Sequence, residues 1–78
     1  MPRFYFDIRE GDSLFTDDEG LWFPDFASAE REAAEAAASI IRDMRLMDGK
    51  VTIEVRDEND CRVIGVSASI NVDRGLAA

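Results

Sequence analysis

Hydrophobic and polar positions alternate along this chain with two distinct periods. Over residues 3–9 the period is two: Phe4, Phe6 and Ile8 point one way and Arg3, Tyr5, Asp7 and Arg9 the other, the pattern of a half-buried strand. The alternation returns over residues 51–56, with Val51, Ile53 and Val55 inward. It returns again after the polar turn Asp57-Glu58-Asn59-Asp60, where Ile64, Val66, Ala68, Ile70 and Val72 form one apolar row. Two such runs across a short polar turn predict a β-hairpin, with Gly65 as a candidate bulge. Between the first strand and residue 26 the pattern is broken. Leu14-Phe15-Thr16 reads as a short returning strand and Leu21-Trp22-Phe23 as a brief extended piece ended by Pro24, with polar breaks at 10–13 and 17–20.

The other period is that of a helix over residues 26–47. Phe26, Ala29, Ala33, Ala36/Ala37, Ile40/Ile41, Met44 and Met47 are spaced by threes and fours and share one face, while Glu30, Arg31, Glu32, Glu35, Arg42, Asp43 and Arg45 fall mostly off it. Asp25 after Pro24 is the start signal, its carboxylate placed to accept a free N–H of the first turn. Asp48-Gly49 is the stop signal. The alanines leave room for close approach, so this face is expected to pack on something flat.

The elements predict an α+β two-layer sandwich: a mostly antiparallel four-stranded sheet with one helix on one face, in the order β-β-α-β-β. Residues 1–78 form one small domain in this reading, with 72–78 as a fraying tail. The uncovered sheet face would show Tyr5, Asp7, Arg9, Thr52, Glu54, Arg56, Ser67 and Ser69 to water.

Charge changes the picture of partners. The net charge is −8, and residues 1–25 alone carry two basic and seven acidic side chains. Such a field repels a phosphate backbone, so nucleic acid is disfavoured as a partner. A single cysteine, Cys61, permits no internal disulfide and fits a reducing, cytoplasmic location. The N-terminus lacks the apolar run of a signal peptide, and no stretch approaches a membrane span. A chain this short buries a modest core, which makes a homo-oligomer or an unidentified protein partner the expected association.

The opening Pro2-Arg3-Phe4-Tyr5-Phe6-Asp7-Ile8-Arg9, with Gly11-Asp12, Asp17-Asp18-Glu19-Gly20, Pro24-Asp25 and the alanine-rich helix, resembles a family of short bacterial proteins classed as a domain of unknown function and frequent in rhizobia. Ile53-Glu54-Val55-Arg56-Asp57 and the strand that follows match its second half, so the resemblance spans about residues 2–72. Asp60-Cys61 departs from it, standing where the family more often has a glycine-type turn. The resemblance implies no activity and carries over no functional residue. A partial likeness to HicB-type antitoxins rests on two strands, an acidic-glycine turn, a Pro-Asp step and an alanine-rich helix, and is one of topology alone.

Candidate chemistry is sparse. Histidine is absent, which removes the usual general base and metal ligand, and no catalytic or cofactor-binding residue is assigned. Cys61 lies among Asp57, Glu58 and Asp60, which disfavour its thiolate, so it reads as inert. Asp12, Asp17, Asp18, Glu19 and Asp25 concentrate carboxylates, yet their spacing fails the EF-hand order, so a solvated turn plus a helix cap is favoured over Ca²⁺ or Mg²⁺. Tyr5 with Arg3, Arg9 and Arg56 offers a stacking platform for single strands. Against it stands a cross-strand lattice in which Arg9 or Arg56 pairs with Asp7 or Glu54 and Tyr5 lies over an arginine stem, and the net charge favours the lattice. Trp22 and Phe23, beside Phe15 and Phe26, are expected to be buried at the end of the core rather than form a docking patch. The resulting reading is a non-enzymatic interaction or accessory module, with Tyr5, Arg9, Trp22 and Arg56 as its candidate surface. The alternative is an antitoxin-like regulator that binds a basic partner protein and, in some forms, nucleic acid.

Overall fold

The structure, a computed structural model, describes residues 1–44 and 49–75. Strands β1 (Arg3–Glu10), β2 (Ser13–Phe15) and β3 (Leu21–Trp22) precede helix α1 (Phe26–Asp43), and β4 (Gly49–Arg56) and β5 (Arg62–Ile70) follow it. The strands form one antiparallel sheet in the order β2-β1-β4-β5, with β3 also pairing with β1. The α+β architecture is as the periodicities predict, and β3 adds a fifth strand to the four expected.

Helix α1 starts where Asp25 caps it: the Ser28 amide donates to Asp25 Oδ1 at 2.8 Å. Ala29, Ala33, Ala37 and Ile41 are its buried positions, spaced four apart along a single stripe. The stripe lies across β4 and β5, where Val51, Ile53 and Val55 have no exposed surface. The alanines allow this, because methyl side chains let the helix backbone settle close to the strands. The helix ends at Asp43, with Met44 as its cap in right-handed geometry and its amide donating to Ile40 O at 3.0 Å. This is earlier than the residue 47 read from the apolar spacing. Met47 and the stop residue Asp48 lie outside the described residues, and Gly49 opens β4 opposite Ile70 rather than closing the helix. The strand claims Gly49 because a partner across the ladder is available to it.

The hairpin β4–β5 is irregular at its turn end. Val55 faces Ile64, but Arg56 faces Arg62, so Val63 is the extra residue. The bulge therefore sits at Val63 and not at Gly65, which stays in register opposite Glu54. The turn is closed by Asp57, whose Oδ1 accepts from the amides of Asn59 (2.9 Å) and Cys61 (3.0 Å). Asp60 takes the left-handed conformation, φ 64°, that a glycine usually takes in such turns.

Burial falls away across the sheet. On the helix side, Phe4 of β1 is buried, meeting Phe26 edge-on (centroids 6.4 Å) and Phe23 at a tilt (6.2 Å). Phe6 and Ile8 are half-buried, and Phe15 of β2, opposite Ile8, is 54% exposed. The helix covers one half of the sheet and leaves the β1–β2–β3 half thinly covered.

Candidate functional site

The outer edge of β1 is served by three different groups in turn. Ile8, Arg9 and Glu10 pair with β2, and Arg3 and Phe4 pair with β3, extended by Phe23 N–H to Pro2 O at 3.0 Å. Between them a side chain stands in for a strand: the Phe6 amide donates to Asp17 Oδ2 at 3.0 Å. The other oxygen of Asp17 accepts from the amides of Glu19 and Gly20, both at 3.0 Å. Gly20 is required at this point. Its φ is +73°, and a Cβ there would lie 2.8 Å from Phe4 O and 3.1 Å from the Tyr5 ring. The loop 16–20 is thereby pinned flat against β1.

This loop covers part of the face expected to meet water. Asp7, predicted solvent-facing, is only 6% exposed. Its burial is tolerated because every oxygen is partnered. Arg56 Nε donates to Oδ2 at 2.7 Å, Arg56 Nη2 to Oδ1 at 3.0 Å, and the Asp17 amide to Oδ1 at 2.9 Å. Arg56 also donates to Asp17 O (2.9 Å) and to Asp60 Oδ1 (2.8 Å). The register explains the geometry. Asp7 stands directly opposite Glu54, two like charges, and each is neutralised by an arginine on the diagonal: Arg56 for Asp7, and Arg9 Nε for Glu54 at 2.8 Å. This is the cross-strand lattice predicted from the alternation. Thr52 and Ser67, opposite each other, share a 2.8 Å hydrogen bond on the same face.

The charges follow from these contacts. The bidentate Arg56 holds the Asp7 carboxyl below its ordinary value, and Arg9 does the same for Glu54. Burial pushes Asp17 up, but the amides of Phe6, Gly20 and Glu19, with Arg56, outweigh it and leave the group lowered. The guanidinium of Arg56 is held above its ordinary value by Asp7 and Asp60. These groups are therefore ionised at neutral pH, none of them poised to exchange protons.

Of the four candidate residues, three are brought together. Arg56 lies over the Tyr5 ring at 5.0 Å, Arg3 lies 5.3 Å from the same ring, and Arg3 lies 5.2 Å from the ring of Trp22. Arg3 is fixed from the other side by the Glu19 carbonyl. Arg9 is apart, toward the other end of the strand, paired with Glu54. Trp22 is 55% exposed, against the expectation of burial. The register gives the reason: Trp22 faces Arg3 on the helix-free side, whereas Phe23 packs against the core and meets Phe6 at 5.7 Å. Leu21 (50%) and Phe26 (48%) are also exposed, on the helix side. Asp7, Asp17 and Arg3, which organise this end, were not among those four, although Arg3 was read beside Tyr5, Asp7 as a lattice partner and Asp17 within the acidic cluster. Asp17 carried no signal within its acidic run, but Asp7 on the strand's polar row did.

A cleft of about 310 Å³ opens beside Tyr5 and Arg56, rimmed by Asp18, Asp57, Glu58 and Asp60. Among the described residues, no three acidic or thiol side chains converge to hold a metal ion. Cys61 is exposed in the hairpin turn. No helix of the described residues is long and apolar enough to cross a membrane.

A small antiparallel sheet carrying one helix and an ionic lattice defines an α+β two-layer protein. The chain belongs to the family described as domain of unknown function DUF6894, whose model matches residues 3–69. Neither a curated protein nor a solved structure matches it.

Proposed function

We propose that the chain is a non-enzymatic protein-interaction module that docks an apolar, basic-rimmed segment of a partner protein on the β1–β2–β3 half of its sheet. The observation that carries this reading is the offset of the helix. Phe15, Leu21 and Phe26 stay about half exposed on the helix side, and Trp22 stays exposed at the same edge. Large apolar side chains left this exposed at one half of a small domain's sheet mark a contact site. The loops that border it expose Asp12, Asp18, Glu19 and Asp25, so a basic rim on the partner is the complementary one. The ionised, fully partnered carboxylates beside it favour a binding role over acid–base chemistry.

The antitoxin-like alternative uses the same surface, its partner being a small basic protein. The test is affinity capture from host lysate, with and without nuclease, by the wild type and by a Phe15→Ser/Leu21→Ser variant whose fold is checked by circular dichroism. The expected result is one stoichiometric, nuclease-resistant basic partner that the variant loses. Capture unchanged by the variant, or no partner at all, sinks the reading.

A further inference from the structure

Strand β5 is the free edge of the sheet. Its inner side pairs with β4 over its whole length, and among the described residues no strand pairs with its outer side. It is nine residues long, about 30 Å at the usual rise, so alternate N–H and C=O groups form a long unpaired row. Residues 63–72 carry no charged side chain, the longest such run in a chain that is one-third charged. The devices that usually blunt an edge, lysine, proline and bulge, are missing from it after Val63. Val63, Ile70 and Val72 stay partly exposed along it.

The charge pattern selects the occupant. Two molecules of charge −8 repel over most of their surfaces, and this uncharged strand is where that repulsion is least. Arg62 bounds the uncharged run at one end and Asp73 at the other, so an antiparallel copy sets Arg62 of each chain toward Asp73 of the other. We propose that β5 pairs antiparallel with β5 of a second copy, giving one continuous sheet with both helices on the same face. A two-fold axis through the sheet preserves faces, so a residue lies opposite one of its own parity. Centred on Ser67, the pairing sets Val66 against Ala68 and Ile64 against Ile70 of the partner copy, joining the two apolar rows under the helices. The contact does not involve the β1–β2–β3 surface, so the two proposals stand or fall separately.

Sedimentation across the micromolar range tests it, followed by oxidative cross-linking in a Cys61→Ser background. The wild type is expected to sediment as a dimer. Ser67→Asp, which sets two carboxylates face to face at the axis, is expected to raise the dissociation constant at least about tenfold. Ser67→Cys in the Cys61→Ser background is expected to form a covalent dimer, and Ala34→Cys on the exposed helix face is not. Should Ser67→Asp unfold, the cross-link alone decides. A monomer at every concentration overturns the proposal. So does a dimer that Ser67→Asp leaves intact, or one that cross-links through Trp22→Cys instead of Ser67→Cys.

Discussion

Two neighbouring residues on adjacent strands, Ile53 and Asp7, are almost equally hidden, and entirely different forces hide them. Ile53 has no exposed surface because the alanine stripe of α1 presses on it from the helix side. Asp7 is 6% exposed on the opposite side, where no helix lies among the described residues, because Arg56 and the Asp17 amide give both of its oxygens partners. The apolar side is stabilised in proportion to the area and volume it fills. The ionic side is neutral to stability as a whole and costly when one member is lost, because the orphaned partner stays buried. One side therefore responds to size and the other to stoichiometry.

That contrast is broken most severely from the apolar side. Ile53→Ala is expected to cost about 3–4 kcal/mol, a large fraction of the roughly 4–12 kcal/mol available to a domain of this size, read as a lower midpoint in urea. Asp7→Ala follows at about 3 kcal/mol, since it strands Arg56 and the Asp17 amide together. The sharper form of this test is the pair Asp7→Ala/Arg56→Met. It should lose less than the sum of its single variants, whereas two sites without shared partners would add.

Acid separates the sides next. Asp7, Asp17, Glu54 and Asp25 all have their carboxyls held below the ordinary value in the folded chain. Groups of this sign contribute fully above the unfolded value, near pH 4, and lose their contribution as pH falls through the folded values. The melting temperature should be flat above about pH 5 and fall below it, and Asp7→Asn should make that fall shallower. A smaller effect is expected at the helix cap: Asp25→Ala should lower the melting temperature by only a few degrees, since one first-turn amide loses its partner to water. Calcium is the smallest. Asp17 already accepts three backbone amides, so millimolar Ca²⁺ should leave both the melting temperature and the amide resonances of residues 17–20 unmoved.

The long periodic elements were legible because each repeats its pattern several times. Three alternating strands and an alanine stripe leave few other arrangements, and even the Arg9–Glu54 and Arg56–Asp7 pairs could be anticipated once Asp7 and Glu54 were seen to share a face. What escaped depends on register, which no local pattern encodes. A two-residue strand such as β3 has no period, so its pairing with Arg3 and Phe4, and with it the exposure of Trp22, could not be read. The bulge at Val63 is set by where β4 and β5 fall out of step, not by the nearby glycine. Asp17 acts as a substitute for a strand only because β2 and β3 stop short on either side of Phe6. Tyr5, Trp22 and Arg56 share an end of the sheet, and the contacts that hold them there come from Arg3 and Asp7 of β1 and from Asp17 in the loop, a combination that only the register brings together.

The outer edge of β1, satisfied along its length by a three-residue strand, a carboxylate and a two-residue strand, has a consequence for aggregation. Sheets that can grow at both margins add copies without limit and become filaments. Here the margin beyond β1 is broken into pieces too short to template another chain, and β5 is the margin left able to grow. Growth by strand addition therefore ends after one event, and the fold carries its own terminator against fibre formation.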